Sequence, residues 1–380
     1  MEMKVLLVSS QSVGLIGGVS SYLMGLLSAL NREVGIGASI VCSDQIHILR
    51  KYAERLYSVR NTSRFYEARI ASLKRVLKKT PKDVVVIAND VLSANACLEC
   101  GLPYHLVVHG YLTDEAISDG KVRAHSRDER AMRKAEITAY AGALSIISVD
   151  KRIEGYIRSI SKRSEITVMA NFVNTKIFSP NSNERARMRE ALGVDSETLI
   201  LVPRRLVLKN GVEYAIRAMS CVNGQFKMVV VGNGPLRSGL LALVNELGLQ
   251  DVVMFLGEAK HEQIPSLLNA ADICMVPSTH IAGVEEATSI SAIEALSCGC
   301  PLLLSEVGGL KDIFEMTSAR LPGLVFSFPD RDYMSAGSMI QKFAISPHQF
   351  NDREEINGIV NQLFGAKHYV EKMIKVLGLM

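Results

Sequence analysis

Residues 199–219 read Leu199-Ile-Leu-Val-Pro-Arg-Arg-Leu-Val-Leu-Lys-Asn-Gly-Val-Glu-Tyr-Ala-Ile-Arg-Ala-Met219. A continuous apolar run, Leu199–Val202, leads into a basic turn and then into a helix-like stretch, Val212–Met219. The run does not alternate apolar with polar, so the strand it predicts is covered on both faces, as strands are in a parallel sheet. The same succession recurs on either side. Val5–Val8, Val84–Ala88, Leu106–Val108, Leu144–Val149 and Ile166–Met169 are expected strands before it; Met228–Val231, Val252–Leu256, Ile273–Val276 and Pro301–Leu304 follow. Val19–Leu30, Leu236–Leu247 and Ile264–Ala270 are expected helices between them. Strand–helix alternation over the whole length predicts an α/β, doubly wound architecture.

The chain has 380 residues, enough for two domains of about 150 each. The polar segment Asn171–Ser182, with Pro180 and three asparagines, is the expected break. It gives an N-terminal domain over 1–175, a second over 176–350 and a helical tail over 351–380 that packs back towards the first. Hydrophobic residues make up 48% and charged residues 22%, which excludes disorder for most of the chain. The net charge of +4 is uneven. Residues 1–170 hold 24 Lys and Arg against 17 Asp and Glu, and the remainder 19 against 22. A basic front half implies an anionic partner there, such as a phosphorylated substrate or a membrane surface. Seven scattered cysteines fit reduced thiols in a cytoplasmic protein. The apolar run after Met1 is too short for a signal peptide, and no stretch approaches 18 apolar residues.

Several motifs carry chemistry. Gly14-Leu-Ile-Gly17-Gly18 lies between an expected strand and helix, where backbone N–H groups can approach an anion. Gly232-Asn-Gly234-Pro235 does likewise, but Arg237 stands where a dinucleotide fingerprint needs a third glycine. The basic turn Arg204 to Gly211 follows a strand end, and arginine suits bidentate phosphate contacts. From Glu286 to Pro301, Thr288 or Ser289 can N-cap a helix with Ile290, Ile293 and Leu296 as its buried stripe. Glu294 then falls mid-helix and Glu286 in the loop before it. Eight residues of helix span about 12 Å, more than the roughly 5–9.5 Å between the carboxyls of a hydrolase acid–base pair. The spacing suits two contacts along one elongated ligand. His109 ends the strand Leu106–Val108 and can reach a cleft. Cys97-Leu-Glu-Cys100 has no second pair, and His261-Glu262 is not continued as HExxH, so no metal site is expected. Asp330-Arg331-Asp332 reads as a helix cap.

Together these segments resemble the family 4 retaining glycosyltransferases of the GT-B fold. The pieces stand in that family's order: Gly17-Gly18, His109-Gly110, Asn171-Phe-Val-Asn174, Arg205-Leu-Val, Gly232-Asn-Gly234-Pro, Phe255-Leu-Gly257, Ala271-Asp272 to Pro277-Ser278, Glu286-x7-Glu294 and Gly308-Gly309-Leu. The resemblance implies two Rossmann-like domains facing a central cleft, with a nucleotide-sugar donor, a UDP-sugar foremost, held mostly by the second. It implies that Glu294 holds ribose hydroxyls and Glu286 sugar hydroxyls. Arg205, with a neighbouring basic group such as Lys209, would neutralise the diphosphate. Gly17, Gly18, Gly234, Thr288, Ser289 and Ile290 would line the nucleotide, and His109 would meet the sugar near the reacting carbon. No cofactor, metal or nucleic acid is implied. The acceptor would be a glycan, a lipid-linked or a small molecule, as in polysaccharide and cell-envelope synthesis.

The chain departs from the family at three places. Arg204 stands for a glycine, Asn210 for a lysine, and Ala287-Thr288-Ser289 for Gly-Phe-Gly. A GT-B nucleotide-sugar 2-epimerase and a non-catalytic sugar-nucleotide-binding subunit are the alternatives. Residues 50–82 hold eleven Lys and Arg, with Ile70, Leu73, Val76 and Leu77 as an apolar stripe. This predicts a basic helix and peripheral contact with an anionic membrane at its inner face.

Overall fold

The computed structural model describes residues 4–11, 18–42, 62–281, 283–345 and 352–379. They form two units: one of Val19–Ala170, the strand before it and the chain from Lys367 on; the other chiefly Asn171–Ala366. The first holds strands β1 (Lys4–Val8), β2 (Gly37–Val41), β3 (Val85–Ala88), β4 (His105–Val108), β5 (Ile146–Ser148) and β6 (Thr167–Val168). Its helices are α1 (Gly18–Ala29), α2 (Thr62–Leu77), α3 (Val91–Glu99), α4 (Leu112–Ser118), α5 (Arg127–Gly142) and α6 (Lys151–Ile160). The sheet order is β2-β1-β3-β4-β5-β6, with every pairing parallel.

The second unit opens with α7 (Ser182–Ala191) and contains β7 (Thr198–Pro203), β8 (Phe226–Val231), β9 (Val253–Gly257), β10 (Ile273–Val276), β11 (Leu302–Ser305) and β12 (Val325–Phe328). Between and after them lie α8 (Val212–Met219), α9 (Arg237–Glu246), α10 (Ile264–Ala270), α11 (Ile290–Ser297), α12 (Gly309–Thr317) and α13 (Tyr333–Ile345). Its parallel sheet runs β12-β11-β10-β7-β8-β9. Two apolar layers cover its faces. Leu199, Leu201, Cys274 and Val276 face one layer with α10 and α11; Ile200, Val202, Ile273 and Met275 face the other with α8 and α9. This is why these runs are apolar at every position.

β2 and β12 are strands that no continuous apolar run announces. Both lie at sheet edges and leave part of their side chains in solvent. The tail is two helices rather than one segment. α14 (Arg353–Phe364) packs Ile356, Val360 and Phe364 into the second unit's core, and α15 (Ala366–Val376) joins the first unit from Lys367 on. There the Tyr369 hydroxyl lies 2.9 Å from that of Tyr22 on α1. Asp332 caps α13, accepting from Ser335 N and Oγ.

Asp272 fastens α7 to the sheet. Its carboxylate accepts from the Leu199 N–H at 2.8 Å, from Arg189 Nη1 at 2.9 Å and from Arg185 Nη2. Burial pushes this carboxyl up, but the Leu199 amide and the two guanidinium groups prevail and hold it below its ordinary value. Asp272→Asn should therefore lower unfolding free energy by about 2–3 kcal/mol, because two part-buried cations lose their anion. The loss belongs to neutral pH and should shrink in acid, since a depressed carboxyl contributes only above its folded pKa. Denaturant unfolding at pH 7 and at about pH 2, below the ordinary carboxyl value of about 3.9, checks this; equal stability at pH 7 would contradict it.

Candidate active site

In the second sheet β7 and β10 are neighbours although two strands, β8 and β9, come between them in the chain, and the sheet runs outward from them in opposite directions. Ligands of open parallel sheets bind at such a reversal, beyond the carboxyl ends of the strands. The loop after β7 is Arg204–Asn210, and the loops after β10 lead through Ser278 to Glu286.

These loops meet through Arg204. Its Nη1 donates to Glu286 Oε1 at 3.1 Å and its Nη2 to Glu286 Oε2 at 2.8 Å. Nη2 also lies 2.6 Å from Ser278 Oγ and 2.8 Å from Asn210 Oδ1. Both partners are largely buried: the Arg204 side chain is 8% exposed and that of Glu286 14%. Burial alone would push the Glu286 carboxyl up. Arg204, with Lys209 and Ser278 behind it, more than offsets this and holds it below its ordinary value. Glu286 is thus an anion at neutral pH. Arg205 is exposed and its guanidinium makes no hydrogen bond or ion pair among the described residues, so the neighbouring arginines divide their work. The Asn210 amide closes the turn by donating to the Arg205 carbonyl at 2.8 Å.

Glycines let the loops pack this closely. A Cβ on Gly234 would lie 2.4 Å from the Leu206 carbonyl oxygen. Gly308, at φ +51°, could carry no Cβ without meeting the Glu286 carbonyl at 2.2 Å, and the next amide, of Gly309, donates to that carbonyl at 2.7 Å. The Glu286 loop therefore rests on Gly308-Gly309, a role the sequence pattern alone does not reveal.

α11 follows that loop. Ser289 occupies its N-cap position, but its hydroxyl makes no capping hydrogen bond to the helix. Ser289 Oγ instead lies 3.1 Å from Ser291 Oγ. The N-terminal turn, opening at buried Ile290, carries the partial positive charge of a helix start. The Thr288 carbonyl accepts from Asn171 Nδ2 at 2.7 Å, while buried Asn171 Oδ1 has no partner among the described residues. Glu294 sits buried in the middle of α11, 3.6 Å from His261 Nε2. That carboxylate holds the His261 imidazole above its ordinary pKa, against the opposing effect of burial. His261 entered the sequence reading only as part of a failed metal motif.

In the first unit, His109 follows β4. Its ring stands edge-on to Tyr22 with centroids 4.5 Å apart, and its buried Nε2 has no hydrogen-bond partner among the described residues. Burial pushes the imidazole down to about 4, so it is neutral at pH 7. Gly18 opens α1, and Gly17 lies outside the described residues. Asp90, after β3, accepts from Ser9 Oγ at 3.0 Å and the Ser10 amide at 2.7 Å, tying the ends of β1 and β3 together. On α2, Leu73 and Leu77 are buried, as the apolar stripe predicts. Lys74 pairs with Glu99, and Arg69 donates to the Ser10 carbonyl. Arg75, Lys78, Lys79 and Lys82 are exposed; Arg50, Lys51, Arg55 and Arg60 lie outside the described residues.

Residues 184–357, which include Arg204, Asn210, Ser278, Glu286 and Glu294, match the family model described as glycosyl transferases group 1. The match spans somewhat less than half of the chain, and over these residues the chain is similar to that family. An uncharacterized glycosyltransferase of Methanocaldococcus jannaschii is 31% identical over 231 residues, 59% of this chain and 57% of that one; the chain thus spans little more than half of that relative. Among solved structures, sucrose-phosphate synthase from Thermosynechococcus elongatus aligns over 98% of both chains with TM-score 0.76 at 22% identity. The Anabaena protein HepE in complex with UDP-glucose aligns over 100% of both with TM-score 0.73 at 17% identity. These likenesses show that the chain has the GT-B fold. No described helix is long and apolar enough to cross a membrane.

Proposed function

We propose that the chain is a retaining glycosyltransferase that draws on a nucleotide-diphosphate sugar, a UDP-sugar foremost. What supports this reading is that the segment similar to the group 1 model brings to its β7–β10 reversal the Glu286 carboxylate, held as an anion by Arg204, together with the exposed Arg205 and the helix start at Ile290. Glu294 holds the ribose and Glu286 the sugar hydroxyls. Arg205, Lys209 and the α11 N-terminus take up the charge that develops on the leaving diphosphate, in place of a metal ion. Gly18 and Gly234 border the nucleotide. Attack comes from the face the diphosphate leaves, and a phosphate oxygen receives the acceptor proton. A neutral His109 donates or accepts a hydrogen bond near the reacting carbon. The UDP-glucose complex of the structurally similar HepE supports uridine as the first base to test.

Arg205→Ala should weaken UDP binding and lower kcat/KM, each by about 10- to 100-fold, because the diphosphate is charged both before and during reaction. Calorimetry and turnover with a panel of nucleotide sugars check it; a variant within threefold of the parent in both would refute the assignment. The acceptor is proposed to be a glycan, a lipid-linked or a small molecule. For a lipid-linked one, the exposed Arg75, Lys78, Lys79 and Lys82 would meet anionic headgroups, each worth about 1 kcal/mol near the surface. Binding to anionic but not neutral vesicles, lost at high salt, is the expected result. Equal binding to both, or none, would reduce the basic face to a solvated one.

A further inference from the structure

Arg204 and Asn210, which both depart from the family pattern, are hydrogen-bonded to each other and converge on the Glu286 loop. We infer that Arg204 is a positioning residue for Glu286, and that it carries for this chain the buried positive charge that residue 210 lacks.

The geometry supports both halves. Two nitrogens of one planar guanidinium meet the two oxygens of one carboxylate, at 3.1 and 2.8 Å. Such a fork fixes the carboxylate plane as well as its position, which a lysine ammonium does not do. Each carboxylate oxygen keeps a further lone pair for a hydroxyl donor. Ser278 and Asn210 hold Nη2 from the other side, so the guanidinium is itself anchored. Asn210 presents an acceptor, Oδ1, 2.8 Å from Nη2. An ammonium in that place would face a buried cation at contact distance and repel it. Arginine at 204 with asparagine at 210 leaves one buried cation beside Glu286; glycine at 204 with lysine at 210 also leaves one. The two positions are therefore predicted to be coupled, with the effect of a lysine at 210 depending in sign on what stands at 204.

The inference rests on the donor reading above, and the test separates them. UDP and UDP-glucose are titrated calorimetrically into the parent chain, Arg204→Gly, Asn210→Lys and the double variant. Arg204→Gly should weaken UDP-glucose about tenfold, the value of a charge-assisted contact, and weaken UDP much less. Asn210→Lys should weaken UDP-glucose in the parent background and strengthen it in the Arg204→Gly background, a coupling that non-contacting sites do not show. An effect of the same sign in both backgrounds, or equal loss for UDP and UDP-glucose, overturns the inference while leaving the donor reading standing. A parent chain that binds neither UDP- nor GDP-linked sugars overturns the donor reading and the inference with it. Should Arg204→Gly fail to fold, Arg204→Gln serves. Removing the cation leaves burial to push the Glu286 carboxyl up, so the pH below which UDP-glucose affinity is lost should rise. An unmoved pH dependence would mean that Arg204 does not govern Glu286.

Discussion

Glu286→Gln is expected to lower turnover by about 10- to 100-fold while changing affinity for the free nucleoside diphosphate by less than about threefold. The carboxylate is an oriented anion, which on the proposed reading accepts sugar hydroxyls, and an amide at the same place is a weaker acceptor. On the proposed reading the diphosphate would lie with Arg205, Lys209 and the α11 N-terminus, so the nucleotide would lose little. The substitution also has a cost for the fold. Arg204 is buried and donates to both Glu286 oxygens, and an uncharged partner leaves that cation unneutralised. Removing one member of such a pair costs about 3 kcal/mol, so the variant should unfold at clearly lower denaturant. The pair's contribution is present at neutral pH and is lost as acid protonates Glu286, because its folded carboxyl lies below the ordinary value. Assays at low temperature on folded protein separate the two effects. If binding of the free diphosphate fell as far as turnover, the two glutamates would have been assigned the wrong way round.

Glu294→Ala should do the opposite, weakening nucleoside diphosphate binding itself by about 10- to 100-fold. Its carboxylate is buried on α11 with His261 at 3.6 Å, and on the proposed reading it would accept two ribose hydroxyls. Affinity for a 2′-deoxy nucleotide should fall much less on substitution, because one of the two hydroxyls is already absent. Unchanged affinity for the ribonucleotide would remove Glu294 from the site.

What the sequence made legible follows from what is local. Leu199–Val202 and Ile273–Val276 are apolar on both faces because two helical layers cover them, and a one-dimensional run is enough to show that. β2 and β12 escaped because edge strands half in solvent have no such run; Gly37-Ala-Ser-Ile-Val41 and Val325-Phe-Ser-Phe328 mix small, polar and apolar residues. Motif order is what singles out Glu286, Glu294 and Arg205 as candidates. It does not single out the partner of Glu286, since Arg204 lies 82 residues away in sequence and meets it only because β7 and β10 are adjacent. His261 reaches Glu294 through the packing of α10 against α11, which spacing does not encode. Ser289 is the reverse case: its residue type favours a cap, but its hydroxyl turns to Ser291 and makes no capping hydrogen bond.

The most direct measurement is a crystal structure of the chain with UDP-glucose. The account predicts the diphosphate against Arg205 and the first turn of α11, the ribose hydroxyls on Glu294 and the glucose hydroxyls on a Glu286 still gripped by Arg204. A nucleotide bound away from the β7–β10 loops, or a glucose that does not touch Glu286, would contradict it.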